Sequence, residues 1–534
     1  MRITSLILSL LLVVFALLSL IFCLLFSWHW LWGLIPSAAL SGVAIWDRLQ
    51  PHHSILRNYP LLGHLRFMAE SIRPEIMQYF VEQDEQGRPY NRTQRSAIYE
   101  RAKNVEDVKP FGTQLDVYNA EYEFLTHSIT PRPKATEPFR VTIGGSACTQ
   151  PYSASLLNIS AMSFGALSPN ALLALNKGAQ RGNFYHDTGE GGVSPYHLKH
   201  GGDLVWEIGT GYFGCRTKDG QFDPGMFHET AVNDKIKMVE IKVSQGAKAG
   251  HGGVLPGPKV DEEIARVRGV PVGKDCISPA YHKAFSTPIE LLEFTDLLRQ
   301  KSGGKPSGFK LCIGRPYEFL AICKAMLETG VLPDYIVVDG GEGGTGAGPV
   351  EFLDHLGLPL TEGLLFVHNA LVGCNLRDKI KVGCSAKISN AFSMASRMAI
   401  GADWCNAARA FMFSVGCIQA QRCHTNTCPV GVATQDPKLY RGLVVDEKAD
   451  RAYHFHRNTL EALAEVVAAA GLDHPSELTA DIMWRRINSN MVRSYLDIYE
   501  FLEPGELVQG GGNALWQKAW DRAQSQTFKI GQLN

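Results

Sequence analysis

Charge of one sign is what this chain most lacks. Its 52 Lys and Arg nearly cancel its 53 Asp and Glu. No excess points to nucleic acid or to an acidic partner, and no nucleic-acid binding is expected. A disulfide framework is also missing. The 12 cysteines are scattered, mostly in apolar runs such as Phe309-Lys310-Leu311-Cys312, as reduced buried thiols are. No Gly-x-Gly-x-x-Gly after a strand offers an NAD(P)H or FAD site. Reducing equivalents for any redox chemistry would therefore come from elsewhere.

Residues 3–26 lack charge altogether. Roughly 20 apolar residues cross the hydrocarbon of a bilayer as a helix. Trp28, Trp30 and Trp32 follow, a residue type that favours the membrane–water boundary. A second apolar run reaches Trp46, interrupted by Gly33, Pro36 and Gly42. The short connection carries no Lys or Arg, whereas Arg2 precedes the first run and Arg48 and Arg57 follow the second. The positive-inside rule then predicts a hairpin with both ends cytoplasmic. Residues 1–50 are thus expected to be a membrane anchor of two transmembrane helices, in an inner or plasma membrane, with the rest cytoplasmic. A cleaved signal peptide is the rival, disfavoured by the length of the first run and by the second. The weaker second run could instead lie in the interface.

Residues 51–130 read as a helical and irregular segment, with a helix over 60–77. From 131 to 440, short apolar runs end in Gly-rich turns and alternate with helical stretches. Such runs occupy 156–161, 238–243, 308–313, 335–338, 379–382 and 403–407, with 183–186 a further one. Repeated strand–loop–helix units imply a parallel sheet, and this number suits a (β/α)8 TIM barrel with its ligands at the loops after the strands. Residues 441–534 read as a helical segment, for example 460–470.

The strongest local signal is Gly416-Cys417-Ile418-Gln419-Ala420-Gln421-Arg422-Cys423-His424-Thr425-Asn426-Thr427-Cys428-Pro429. Thiolates at Cys417, Cys423 and Cys428 suit three corners of an iron–sulfur cluster, a 3Fe-4S centre, or a four-iron cluster with a ligand from elsewhere. Zinc is the alternative. His424 is adjacent to Cys423 and poorly placed to complete the same site. Three reduced cysteines in a loop are the plain reading.

At this motif the chain resembles a known family. Residues 423–435, Cys-His-Thr-Asn-Thr-Cys-Pro-Val-Gly-Val-Ala-Thr-Gln, look like the cluster segment of the FMN-binding synthase domain of glutamate synthases. Four more stretches resemble that family in the same order: 158–168; Thr188-Gly189-Glu190-Gly191-Gly192; residues 244–257, from Ser244-Gln245-Gly246-Ala247-Lys248 to Pro256-Gly257; and residues 339–347, Asp339-Gly340-Gly341-Glu342-Gly343-Gly344-Thr345-Gly346-Ala347. The resemblance implies an oxidoreductase with FMN in the barrel mouth beside a 3Fe-4S cluster. The cluster would pass electrons to the flavin, and the flavin would give hydride to 2-iminoglutarate, formed from 2-oxoglutarate and ammonia, yielding L-glutamate. The N-terminal glutaminase domain of full glutamate synthases is not in this sequence. Nitrogen is then expected from ammonia or an amine donor, and electrons from ferredoxin, a reductase subunit or a membrane carrier. The alternatives are a membrane-linked flavin dehydrogenase or synthase on another amino or hydroxy acid, or a non-catalytic redox subunit.

Ala161, Met162 and Ser163 are expected along one face of the flavin ring, and the Gln245 amide at its pyrimidine edge. Lys310, inside a strand, is assigned to stabilise negative charge on reduced flavin, against a structural ion pair. Lys248 is the candidate for a substrate carboxylate. Asp339, Gly340, Gly341, Gly344 and Thr345 would let backbone approach the cofactor closely. Ser385, Lys387, Ala407 and Arg409 follow the last two strands, the common phosphate pocket of such barrels. There Gly383-Cys384-Ser385-Ala386-Lys387 departs from the family's Gly-Gly-x-x-Thr-Gly. His251 stands where the family has Glu, which bears on the substrate.

Overall fold

Eight short parallel strands close on themselves: β1 Leu157–Ile159, β2 His186–Asp187, β3 Leu204–Ile208, β4 Ile236–Lys242, β5 Ser307–Leu311, β6 Tyr335–Asp339, β7 Lys381–Ser385 and β8 Trp404–Ala407. They pair in that order, and β8 returns to β1 with Cys405 opposite Leu157. The computed structural model describes residues 2–105 and 107–530. The strands are buried on both faces, as parallel strands covered by helices are. The expected (β/α)8 barrel is therefore the fold.

No strand is expected at β3, Leu-Val-Trp-Glu-Ile, although the run at β4 carries a carboxylate, Glu240, in the same way. The loops after the third, fourth and fifth recognised runs consequently follow β4, β5 and β6. The expected strand over 379–382 is shifted to Lys381–Ser385. Cys384 and Ser385 are ladder residues, not a turn, because they pair with Val338 and Asp339 of β6. Gly341-Glu342-Gly343-Gly344-Thr345-Gly346 does have Gly-x-Gly-x-x-Gly spacing after a strand. It nevertheless runs on through a loop to Pro349 before the short helix Val350–His355. The helix N-terminus that a dinucleotide site needs directly after the glycines is absent there.

Ser168 caps the helix Pro169–Gly182 by accepting from the Ala171 N–H, with Pro169 at the first helical position. Its Gly178 lets the long helix Val445–Ala469 approach closely; a Cβ there would meet the Ala449 carbonyl at 2.9 Å. Beyond 470 the chain also forms a hairpin, Met483–Asn488 with Met491–Ser494, whose first strand pairs with Glu123–Leu125.

The residues up to Arg92 form one compact unit, and those from Thr93 a second. In the first, α1 (Arg2–Leu25) packs along α2 (Leu31–Leu49) through a short turn over Trp28–Trp30. Gly33 sits against Ser19 and Phe15. Among the described residues one helix, Ile3–Leu25, is long and apolar enough to cross a membrane. Ser5 of α1 donates to the Pro60 carbonyl (2.6 Å), while Asp47 of α2 accepts from the Leu61 N–H (3.0 Å) and bonds His64 (2.9 Å). Both free ends of the hairpin therefore lie on one side. The following helix, Leu62–Ile76, matches the expected helical stretch.

Candidate active site at the barrel mouth

Strand register decides which side chains meet inside the barrel. Glu207 of β3 lies opposite Glu240 of β4, which lies opposite Gly308 of β5; Asp187 of β2 lies opposite Val205. With a side-chain period of two, Asp187, Glu207, Glu240 and Lys310 all face inward. The three carboxylates each place an oxygen within 4.8 Å of the others. Lys310 Nζ bonds Glu207 and lies 3.6 Å from Glu240 Oε1. The ion pair weighed for Lys310 is thus present. Burial would lower the Lys310 pKa, but Glu207, Glu240, Asp187 and Asp339 outweigh it and hold the ammonium well above its usual range. Burial, with Glu207, pushes Asp187 up to about 7 against the pull of Lys310. Burial also pushes Glu240 up. One cation cannot neutralise three buried carboxylates, so this cluster keeps a proton at neutral pH.

Above it, the loops interlock. Asp339, ending β6, accepts from the Gly246 N–H (2.8 Å) after β4 and from Ser385 Oγ (2.6 Å) at the end of β7. Gly246 cannot be another residue without movement, since its Cβ would sit 1.7 Å from the Gly340 carbonyl oxygen. Gly340 N–H donates to the Ser385 carbonyl, and Gly341 N–H to that of Leu358. Arg409, after β8, donates to the Glu342 carbonyl (2.7 Å), and Gly344 gives its side chain room. Ser385, Lys387, Ala407 and Arg409 thus stand at the ends of the paired strands β7 and β8. Ala161, Met162 and Ser163 follow β1. Arg268 holds that turn through Ser163 Oγ (3.2 Å) and the Phe164 carbonyl (2.8 Å).

Lys248 is buried and donates to the Ala347 carbonyl (3.1 Å), its neighbour Thr345 bonding the same oxygen. Burial lowers the Lys248 pKa, opposed by Glu190. Lys242 and Glu190 form an ion pair at 3.0 Å. Burial alone would raise Glu190; Lys242, Lys248 and Arg268 reverse that and leave it at about 2. Glu190, Lys242, Gln245 and His251 line one small crevice. His251 Nδ1 bonds the Gly252 carbonyl (2.7 Å), and its ring meets Phe352 edge to face.

Cys417, Cys423 and Cys428 are free thiols on one loop, close enough that Cys423 and Cys428 act on Cys417 and Cys428 acts on Cys423. Burial, first of all, pushes Cys417 up to about 12. Left-handed backbone at Gln419, Gln421 and Asn426 curls the loop. Tyr99 OH donates to the Cys417 carbonyl (2.6 Å), and Asn426 to the Pro258 carbonyl (3.2 Å). Gln435 donates to the carbonyls of Gly165 and Leu167 (3.1 and 2.8 Å). A Cβ on Gly346 would be 4.0 Å from Cys423 Cβ. The thiol loop therefore touches the loops after β1, β4 and β6. His424 is exposed while Cys428 is buried.

The sequence reading misses Asp187, Glu207, Glu240, Glu190, Lys242, Lys259 and Arg268. A signal existed for three of them: acids recur near the centres or ends of consecutive strand-like segments, where apolar residues are the norm.

Residues 123–473 match the family profile described as a conserved region in glutamate synthase. The chain is 36% identical over 510 residues to the glutamate synthase large subunit-like protein YerD of Bacillus subtilis, spanning 88% of this chain and 97% of that one. It is 32% identical over 319 residues to an archaeal glutamate synthase (NADPH) of Methanocaldococcus jannaschii, covering 59% of each. It is also 32% identical to the glutamate synthase (NADPH) large chain of Azospirillum brasilense, over 59% of this chain but 20% of that one. Among solved structures, a flavocytochrome b2 double mutant with sulfite bound aligns with 89% of the chain at 12% identity and a TM-score of 0.42.

Proposed function

The chain belongs to the glutamate synthase family of oxidoreductases, and on that footing we propose that it reduces 2-iminoglutarate, formed from 2-oxoglutarate and ammonia, to L-glutamate, using FMN and a 3Fe-4S cluster. The observation that carries this reading is the contact of the Cys417–Cys423–Cys428 loop with the loops after β1, β4 and β6. Those are the same loops that carry the flavin candidates, so an electron entering at the thiols would reach the barrel mouth directly.

The residues suit both groups. Three soft donors on one curled loop fit an iron–sulfur centre. At the mouth, a Cβ on Gly250 or Gly314 would meet nothing within 4 Å, so these loops border open space. When bound, FMN supplies hydride, and the cluster supplies electrons one at a time. The chain does the rest. Ser385, Lys387, Ala407 and Arg409 would hold the FMN phosphate. Ala161, Met162, Ser163 and Gln245 would hold its ring, and Asp339, Gly340, Gly341, Gly344 and Thr345 would let backbone approach it closely. Lys310 would offset negative charge on the reduced ring. Lys248 exchanges the Ala347 carbonyl for a substrate carboxylate. The imine carbon would take hydride and its nitrogen a proton.

The hairpin of α1 and α2 is the membrane anchor in this reading, with its ends and the barrel on the cytoplasmic side. The electron donor is ferredoxin, a reductase subunit or a membrane carrier. Ammonia or an amine donor brings the nitrogen. His251, in the crevice beside Gln245, favours a second reading, a flavin reaction on a related amino or hydroxy acid.

The test is a half-reaction. The full chain in detergent is reduced with dithionite, freed of excess reductant, and given 2-oxoglutarate and ammonium without oxygen. Flavin reoxidation with an equal amount of glutamate by mass spectrometry supports the synthase. A flavin that stays reduced with these substrates, but is reoxidised by another keto or imino acid, selects the second reading.

A further inference from the structure

Lys259 is 2% exposed, although its side chain ends in an amino group that ordinarily carries charge. It lies on the loop after β4, within Pro256-Gly257-Pro258-Lys259. Its Nζ donates to three carbonyl oxygens: Ala166 at 2.8 Å, and Cys423 and Ala433 at 3.3 Å each. All three N–H groups are spent, so the head group does not reach water.

Among the described residues no carboxylate forms an ion pair with this head group. Lys310 has Glu207 and Glu240, and Lys242 has Glu190. Among the described residues, the groups near Lys259 that could carry negative charge are the thiols of Cys423 and Cys428, and its other charged neighbour is the cation Arg268. Carbonyl dipoles satisfy hydrogen bonds but do not cancel a net charge. Burying an ammonium without a counter-charge is costly. A fold that does this beside three thiols provides for an anion at that place.

We infer that Lys259 is the built-in counter-charge of the cluster held by Cys417, Cys423 and Cys428, and that it holds the cluster's reduction potential up. The inference rests on the cluster assignment above. With three thiolates such a cluster is anionic, and accepting one electron adds one more negative charge. A fixed cation in a low-dielectric pocket stabilises the reduced form more than the oxidised one. Arg95, whose charge acts on Cys417, adds a second positive field. Lys259 is a positioning residue as well: by binding the carbonyls of Ala166 and Cys423, it fixes the thiol loop to the turn after β1.

The full chain and its Lys259→Gln and Lys259→Arg variants decide the matter. Glutamine keeps an N–H donor and removes the charge; arginine keeps the charge. Iron and sulfide are counted, melting is recorded, and the oxidised-cluster signal is followed by electron paramagnetic resonance through a redox titration. The glutamine variant is expected to retain iron and to be at least tenfold harder to reduce, ~59 mV for one electron, with arginine at the parental value. A glutamine variant that folds but loads no iron, beside an arginine variant that loads it, supports the same charge role. A glutamine cluster with the parental potential overturns the inference, as does equal loss of iron from both variants. A parent chain without iron removes the cluster assignment itself, an outcome distinct from a cluster indifferent to Lys259.

Discussion

The Lys310 ammonium lies on the Glu207 carboxylate inside the barrel, with Glu240 Oε1 3.6 Å from the same nitrogen. The two residues are 103 positions apart, on β5 and β3. Their pairing lets a strand carry a carboxylate through an apolar core. Lys310→Met strands that charge. It is expected to lower stability by about 3–5 kcal/mol in urea unfolding. The double variant Lys310→Met, Glu207→Gln should recover part of the loss. Parental stability in the single variant would mean the pair bears no weight in the fold.

The same cluster makes stability depend on pH. Folded Asp187 titrates near 7, against 3.8 when unperturbed. Between these values the native state binds more protons than the unfolded one, so stability falls as pH rises. The contribution is complete below 3.8 and gone above about 7. The slope from one proton is at most about 1.4 kcal/mol per pH unit. Asp187→Asn should flatten that part of the profile; an unchanged slope would assign it to another group.

Cys428→Ser, with its side chain buried in the thiol loop, is expected to abolish iron binding. Cys276→Ser, at a buried thiol outside the loop, should leave iron at the parental level. The check is iron and acid-labile sulfide per chain, with flavin content measured in parallel. Iron retained in Cys428→Ser would remove that residue from the ligand set.

At Gly246 the constraint is steric. Gly246→Ala drives a Cβ into the Gly340 oxygen, which belongs to backbone and cannot rotate away. A loss of about 1–3 kcal/mol is expected, as for other overpacked sites, together with weaker flavin retention on gel filtration. A variant that holds flavin as the parent does would show that the β4 and β6 loops can separate without cost to the cofactor.

For the N-terminal hairpin, the full chain should stay with membranes through an alkaline carbonate wash. A chain lacking residues 3–25 should be released. Release of the parent would make α1 a peripheral element and not a span.

The thiol spacing, the glycine loops and the alternation of strands with helices are written in contiguous residues. The barrel, the family and the three cysteines could therefore be read directly from the chain. The apolar run over 3–26 is equally local. β3 escaped the pattern although β4, with Glu240 in the same kind of run, did not, and the cation that pairs with Glu207 is on another strand. The hairpin after 482 pairs with Glu123–Leu125, a partner more than 350 residues away in the chain, so no local pattern announces the sheet. Lys259 is the sharpest case. In the sequence it is an ordinary lysine in a Gly- and Pro-rich loop, a setting that favours solvent. Only closure of the barrel brings carbonyls from residues 166, 423 and 433 around it. The sequence by itself determined which atoms were available for redox chemistry. Tertiary structure decided which charges are buried and what balances them, because burial and Coulomb interaction depend on distance in space and not along the chain.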